Sequence, residues 1–182
     1  MAETAPDALE TPRLRLSPVG ETDRPHEFLK LFNSNPDFIE ASEQFTGKRS
    51  YDLSEAEMYL WVATNQEYSR CLAIRLRETD ELVGTTCLLV SHYKEPYPWI
   101  GLLLIHGRHH RQGLGTEAAV AIEAALARDG WPEVRLGVMT ARPGERQFWE
   151  RLGYTVFDER RDQDKRPSWI MRKPLAQASG GG

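Results

Sequence analysis

Apolar positions along the chain change their period several times, and each change predicts an element. Arg13-Leu14-Arg15-Leu16 alternates every second residue and predicts a short first strand. Asp23, Pro25 and Glu27 open a helix running to about Phe32, where Asn33-Ser34-Asn35 stops it. Asn35-Pro36 supplies the cap and first turn of a second short helix, to about Gln44, and a polar loop follows over 45–52. Ser54-Glu55-Ala56-Glu57 reads as a capping box before Met58, Trp61 and Val62, which predicts a third helix. Residues 71–76 and 82–90 are strand-like and flank the turn Glu78-Thr79-Asp80-Glu81, so they pair as a hairpin. After a loop over 92–98, rich in proline and aromatics, residues 99–105 are nearly continuously apolar, as for a strand buried on both faces. An Ala-rich helix over 116–128 ends before Gly130, a strand covers 134–139, and a helix over 144–152 stops at Gly153. Two last strands, 154–159 and 168–171, flank the charged stretch 160–166, which is expected to be solvated hairpin. No internal repeat is visible. This order implies a mixed α/β (α+β) domain with a central sheet.

Composition narrows the class. A length of 182 residues with 40% hydrophobic residues suits one soluble domain. We expect a flexible N-terminus over 1–10, one domain over 11–175 and a flexible tail over 176–182. No apolar run reaches membrane-spanning length, and the acidic first ten residues lack a signal-peptide core, so the expected location is cytoplasmic, with no membrane partner. A net charge of −4 argues against nucleic acid as the main partner and is compatible with a cationic one such as an amine. Cys71 and Cys87 both sit in apolar strand-like runs and are expected to be buried free thiols. Trp61, Trp99 and Trp169 are expected in core or interface.

Candidate chemistry concentrates in Arg108-His109-His110-Arg111-Gln112-Gly113-Leu114-Gly115-Thr116, a basic, glycine-containing turn that opens a helix. Such a turn is a phosphate cradle: glycines let the backbone come close, amides point at the anion, and the helix N-terminus adds positive potential. Gly113-x-Gly115-x-x-Ala118 fits the dinucleotide fingerprint formally. However, residues 106–112 separate it from the preceding strand, and the next strand ends in Met139-Thr140-Ala141 without the acid that fingerprint needs. His106, His109 and His110 have no carboxylate or cysteine nearby in sequence, so they are read as loop residues beside phosphates, and no metal is expected.

The run from Trp99 to Thr116, followed by Phe148-Trp149-Glu150-Arg151-Leu152-Gly153-Tyr154, resembles the GCN5-related N-acetyltransferase (GNAT) family. That family has a strand, then Arg/Gln-x-x-Gly-x-Gly/Ala, then a helix, and later an aromatic pair and Leu-Gly-Phe/Tyr at a helix end. The likeness extends over about 82–175. The opening Thr11-Pro12-Arg13-Leu14-Arg15-Leu16 is similar to the subgroup that includes ribosomal-protein N-terminal acetyltransferases. The resemblance implies a mostly antiparallel central sheet flanked by helices, the acyl-CoA N-acyltransferase fold, with acetyl-CoA as acyl donor.

It further implies that His110, Arg111, Gln112, Gly113, Leu114, Gly115 and Thr116 hold the pyrophosphate, chiefly through backbone amides. The pantetheine arm would lie along the backbone of Leu103, Leu104 and Ile105 as an added strand, and one amide there would bond the thioester oxygen. The strand 134–139 should diverge from 99–105 to admit it. Arg142 stands where the family often has Asn and is a candidate phosphate partner; Glu145 stands in place of a small Ala. The second residue of the aromatic pair, often a Tyr that protonates the leaving thiolate, is Trp149, whose indole N–H is no acid near neutral pH. Tyr154 is expected in the core. The acceptor is a primary amine, on a protein N-terminus or a small molecule, attacking directly in a ternary complex. An alkylamine with pKa near about 10.4 needs a base more than an α-amine does. Candidates for that base are His92 and Glu95 in the loop and Glu40 or Glu43 in the early helices. A non-catalytic acyl-CoA-binding module of the same fold is the alternative, and a homodimer is open.

Overall fold

The computed structural model describes residues 8–43, 46–90, 96–162 and 165–176. Strands β1 (Leu9–Glu10) and β2 (Leu14–Pro18) lead into helices α1 (Pro25–Asn33), α2 (Pro36–Ser42) and α3 (Leu53–Asn65). Strands β3 (Ser69–Leu76), β4 (Leu82–Leu89) and β5 (Trp99–Ile105) follow, then α4 (Leu114–Arg128), β6 (Glu133–Met139), α5 (Pro143–Arg151), β7 (Thr155–Arg161) and β8 (Pro167–Pro174). They form an eight-stranded sheet in the order β1-β2-β3-β4-β5-β6-β8-β7. Every pairing is antiparallel except β5 with β6. The mixed, mostly antiparallel sheet expected from the sequence is therefore observed. Leu9 and Glu10, expected within a flexible leader, pair with Leu16 and Arg15 instead. No helix among the described residues is long and apolar enough to cross a membrane.

Two cores cover the two faces of the sheet. Leu14, Leu16, Leu72, Ile74 and Leu136 pack under α4, together with Trp149 and Tyr154. On the other face Cys71, Ala73 and Leu104 pack under Phe28, Leu31 and Ile39 of α1 and α2, with Tyr59 of α3 against them. Alternation along β3 explains the division, since neighbouring residues point to opposite faces.

Several local expectations are corrected. The N-cap of α3 is Asp52, two residues before the expected Ser54: Asp52 Oδ1 accepts from Glu55 N at 3.1 Å, and Glu55 Oε2 accepts from Asp52 N at 2.9 Å. Asp52 competes successfully because its carboxylate accepts without a donor of its own, and Ser54 Oγ donates to it at 2.7 Å. The inner face of α3 is Ala56, Tyr59, Leu60 and Ala63, while Met58 and Trp61 are 60% and 63% exposed, so Trp61 is not core. Cys71 and Cys87 are not free thiols. Antiparallel register places them directly opposite on one face with Cα atoms 4.0 Å apart, and they form a disulfide.

The most consequential correction concerns β5, which is not buried on both faces: Ile100 and Leu104 are buried while Gly101 is exposed. Its register with β4 slips where Cys87 faces Leu102 and Leu88 faces Ile100, leaving Gly101 as the extra residue of a bulge. Pairing with β6 stops at the same point, after Trp99 with Arg135 and Ile100 with Leu136. A bulge bends and twists its strand, so β5 swings away from β6 and a fork opens between two parallel strands. The divergence expected between these strands is thus present.

Candidate functional site

The fork leads into a cleft of ≈ 2300 Å³ lined by β5 from Trp99 to Ile105, by the turn His109–Thr116 without Gln112, by β6 and α5, and by α2, α3 and the β7–β8 hairpin. Parallel β5 and β6 place the loops after them at one mouth of this cleft. The turn after β5 begins with a 3-10 segment, Gly107–His109. Gly107 is required there by a close approach: a Cβ would stand 2.4 Å from Ser34 O, and Gly107 N donates to Ser34 Oγ at 2.8 Å. Buried Asn35 donates to Ile105 O at 3.1 Å and to Leu31 O at 3.0 Å, tying the α1–α2 junction to the end of β5.

The chain then turns through two left-handed residues, Arg111 at φ 61° and Gly113 at φ 80°. Gly113 is the N-cap of α4 and has no side-chain cap, so the first amides of that helix are left for a ligand. Gly113 suits the left-handed region, which costs a residue with Cβ about 1–2 kcal/mol. Gly115 differs: a Cβ there would meet Ile105 Cγ1 at 3.5 Å and Phe148 Cζ at 3.6 Å, which is ordinary contact. Leu114 is buried and anchors the start of the helix.

Side chains of the basic turn have their own partners. Arg108 is ion-paired with Glu81, and His109 Nε2 lies 2.9 Å from the same carboxylate. These two, Arg108 first, hold Glu81 below the usual carboxylate range. Arg108 therefore serves the β3–β4 turn rather than the cradle. His110 Nε2 lies 2.8 Å from Ile105 O and donates to it, folding the ring back onto β5, and His110 N donates to Gly107 O at 3.2 Å, so both its ring and its amide are already engaged within the turn. Burial and then the nearby Arg108 hold His106 below the usual imidazole value. No group of three or more His, Cys, Asp or Glu is arranged to hold a metal ion among the described residues.

Across the mouth, Arg142 stands at the N-cap of α5, with Pro143 fixing the first turn. Its Nε lies 2.5 Å from Glu145 Oε1, yet off the N–H axis, so this buried N–H lacks an aligned acceptor among the described residues. Burial pushes the Glu145 carboxyl up, against the opposing pull of Arg142. Trp149, one turn beyond Glu145, is 8% exposed and packs edge-on against Phe148 and Tyr154 at 4.9 and 5.0 Å. Tyr154 is buried in the core as expected.

The far end of the cleft is built from side chains. Glu43, at the C-cap of α2, accepts from Tyr51 Oη at 3.0 Å. Burial and then this carboxylate raise the Tyr51 phenol. Glu40 and Asp37 are both paired with Arg49. Tyr59 Oη lies 2.8 Å from Thr85 Oγ1, and burial pushes its phenol up to about 12, too high for a proton donor at neutral pH. The opposite wall carries Arg160, Arg161 and Asp162, and Arg166 Nη1 donates to Ser42 O at 2.9 Å. The charged hairpin expected to be merely solvated thus closes against the end of α2. His92 and Glu95 lie outside the described residues.

The family profile described as acetyltransferase (GNAT) domain matches residues 13–155. No curated protein matches. Among solved structures, an acetyltransferase from Thermus thermophilus is 22% identical, with 89% of this chain and 97% of that chain covered at a TM-score of 0.72. A probable GNAT-family acetyltransferase from Chromobacterium violaceum is 15% identical, with 93% and 87% covered at 0.76. The ribosomal-protein-S18-alanine N-acetyltransferase from Escherichia coli is 15% identical, with 93% and 98% covered at 0.64. At these identities the likeness is one of fold.

Proposed function

The chain belongs to the GNAT acetyltransferase family, and from that premise we propose that it transfers an acetyl group from acetyl-CoA to a primary amine by direct attack. The observation that carries this reading is the fork opened by the Gly101 bulge, which joins the glycine turn to the side-chain-lined end of the cleft. Beyond Ile100, β5 is paired only with β4, so Leu103, Leu104 and Ile105 have one strand edge without a partner strand. That edge suits a pantetheine amide chain, which would take the place of a strand.

The residues at the mouth fit the phosphates of the donor. The turn offers the uncapped amides of Leu114, Gly115 and Thr116 at the positive end of α4. Arg142 offers a buried N–H without an aligned acceptor. Acetyl-CoA supplies an activated acyl carbon with a thiolate leaving group. The amine nitrogen bonds to that carbon, the C–S bond breaks, the nitrogen loses one proton and the thiolate takes one up. Glu43, facing the cleft and oriented by Tyr51, is the group we assign to receive the amine proton. Trp149 donates no proton, and a thiol with pKa near about 8.5 leaves without one from the protein.

A non-catalytic acyl-CoA-binding module is the second reading, favoured by the burial of Trp149 in the core at the place of the usual phenol. Thiol release from acetyl-CoA, measured with a panel of α-amines and alkylamines, separates the two. Turnover with one class of amine supports the enzyme. Tight donor binding without turnover on any amine supports the binder.

A further inference from the structure

The Thr11-Pro12-Arg13 segment reaches the glycine turn from the opposite end of the chain. Three donors from it converge on Glu117 in the first turn of α4. Thr11 Oγ1 donates to Oε1 at 2.5 Å, Arg13 N to Oε1 at 2.9 Å and Arg13 Nε to Oε2 at 2.6 Å. Arg13 Nη1 also donates to Gln112 O at 3.0 Å. Gln112 lies between the two left-handed residues, Arg111 and Gly113. Arg13 Nη2 stands 3.4 Å from where a Cβ on Gly113 would be. The segment is itself fixed: Leu14 N donates to Thr11 Oγ1 at 2.8 Å, and Arg77 Nη1 donates to Thr11 O at 2.9 Å.

We propose that Arg13 is a positioning residue for the donor's pyrophosphate, acting through the Gln112–Gly113 peptide and through Glu117; this rests on the cofactor reading above. Two physical effects combine. In a trans peptide the carbonyl and the following N–H point in opposite directions. Holding Gln112 O toward Arg13 therefore directs Gly113 N–H away from Arg13 and keeps a carbonyl lone pair from facing the anion. Glu117 is the second effect, because a carboxylate beside a helix N-terminus competes with a bound phosphate for the same positive potential. Arg13 neutralises that charge. Burial acts to raise Glu117, but Thr11 and Arg13 outweigh it and keep the group ionised. The Arg13 side chain is 49% exposed, and Thr11 Oγ1 and Arg13 N still hold Glu117 when its guanidinium is removed, so the loss of that guanidinium registers chiefly in ligand binding.

Calorimetric titration of acetyl-CoA and of dephospho-CoA, which lacks the 3′-phosphate, into wild type and Arg13→Ala tests the assignment. Arg13→Ala is expected to weaken both ligands roughly tenfold, the scale of one charge-assisted hydrogen bond. KM for acetyl-CoA rises accordingly while kcat stays within about twofold. Adding Glu117→Gln to Arg13→Ala recovers part of the affinity, because the uncompensated carboxylate is gone. Arg13→Lys, which keeps the charge and guards against a folding defect, gives an intermediate value. Binding by Arg13→Ala within about twofold of wild type overturns the assignment. A loss seen with acetyl-CoA but not with dephospho-CoA overturns it as well, since the effect then belongs to the 3′-phosphate or the acetyl group and not to the pyrophosphate that the two compounds share. Wild type that binds neither compound overturns the cofactor reading and this proposal with it.

Discussion

The two ends of the cleft are made of different materials. Toward the mouth, the contacts available to a ligand are main-chain amides held by a positive-φ glycine, a strand bulge and the start of a helix. At the far end they are side chains from α2, α3 and the β7–β8 hairpin, joined across sequence separations such as that between Ser42 and Arg166. A backbone-built site constrains conformation and tolerates many side chains, so it suits the part of a reaction that stays constant. A side-chain-built site changes with every substitution, so it suits the part that varies. On the proposed reading, the mouth serves the acyl donor and the far end selects the acceptor.

The largest effect should come from attacking the backbone-built end. Gly113→Asp forces a Cβ into the left-handed region and adds a negative charge beside the phosphates; together these should raise KM for acetyl-CoA roughly a thousandfold. A change below about tenfold would show that the turn is not the anion site. Next comes the side-chain-built end. Glu43→Gln should lower kcat about a hundredfold while leaving KM for acetyl-CoA nearly unchanged. If instead the donor's KM rises and kcat holds, Glu43 is not the base, and the two ends do not act separately.

Acid should loosen the mouth before ligand chemistry is involved. Glu117 sits below its ordinary value of 4.5 in the folded protein. A lowered folded-state value means that its contribution to stability is complete above about 4.5 and is lost as pH falls through the lowered value. The difference in melting temperature between wild type and Glu117→Gln should therefore shrink as pH drops from about 6 toward about 3; a constant difference would contradict the clamp. The smallest effect is expected at Gly115→Ala, where the new methyl meets only ordinary contacts with Ile105 and Phe148. Affinity for acetyl-CoA should stay within about threefold, in contrast to Gly113.

This contrast also explains what could be read in advance. Helix starts at Pro25 and Pro36, the stop at Gly153 and the turn at Gly113 are local events, fixed by residues within one turn of each other. The splay of β5 from β6 was expected only through family resemblance, although Gly101 inside an apolar run was its local signal, as a glycine in a strand often marks a bulge. The disulfide is not legible from the hairpin turn alone, because the register beside the turn, Arg75 with Leu82, slips by one residue before Ile74 meets Gly84, and only that slip brings Cys71 opposite Cys87. Arg108, His110 and the hairpin wall were misjudged for another reason. Their partners, Glu81, Ile105 O and Ser42 O, depend on tertiary packing or on the path of the turn, and side-chain type alone does not reveal them. Arg13 reaches the turn from far away in sequence, with a separation of 104 residues from Glu117, beyond any spacing rule.

Hydrogen exchange of the main-chain amides, followed with and without acetyl-CoA, tests the central claim most directly. The donor is expected to slow exchange in two separate segments, Leu103–Ile105 on the free edge of β5 and Gly113–Thr116 at the start of α4, with little change along α3. Unchanged exchange in both segments at saturating acetyl-CoA would contradict it.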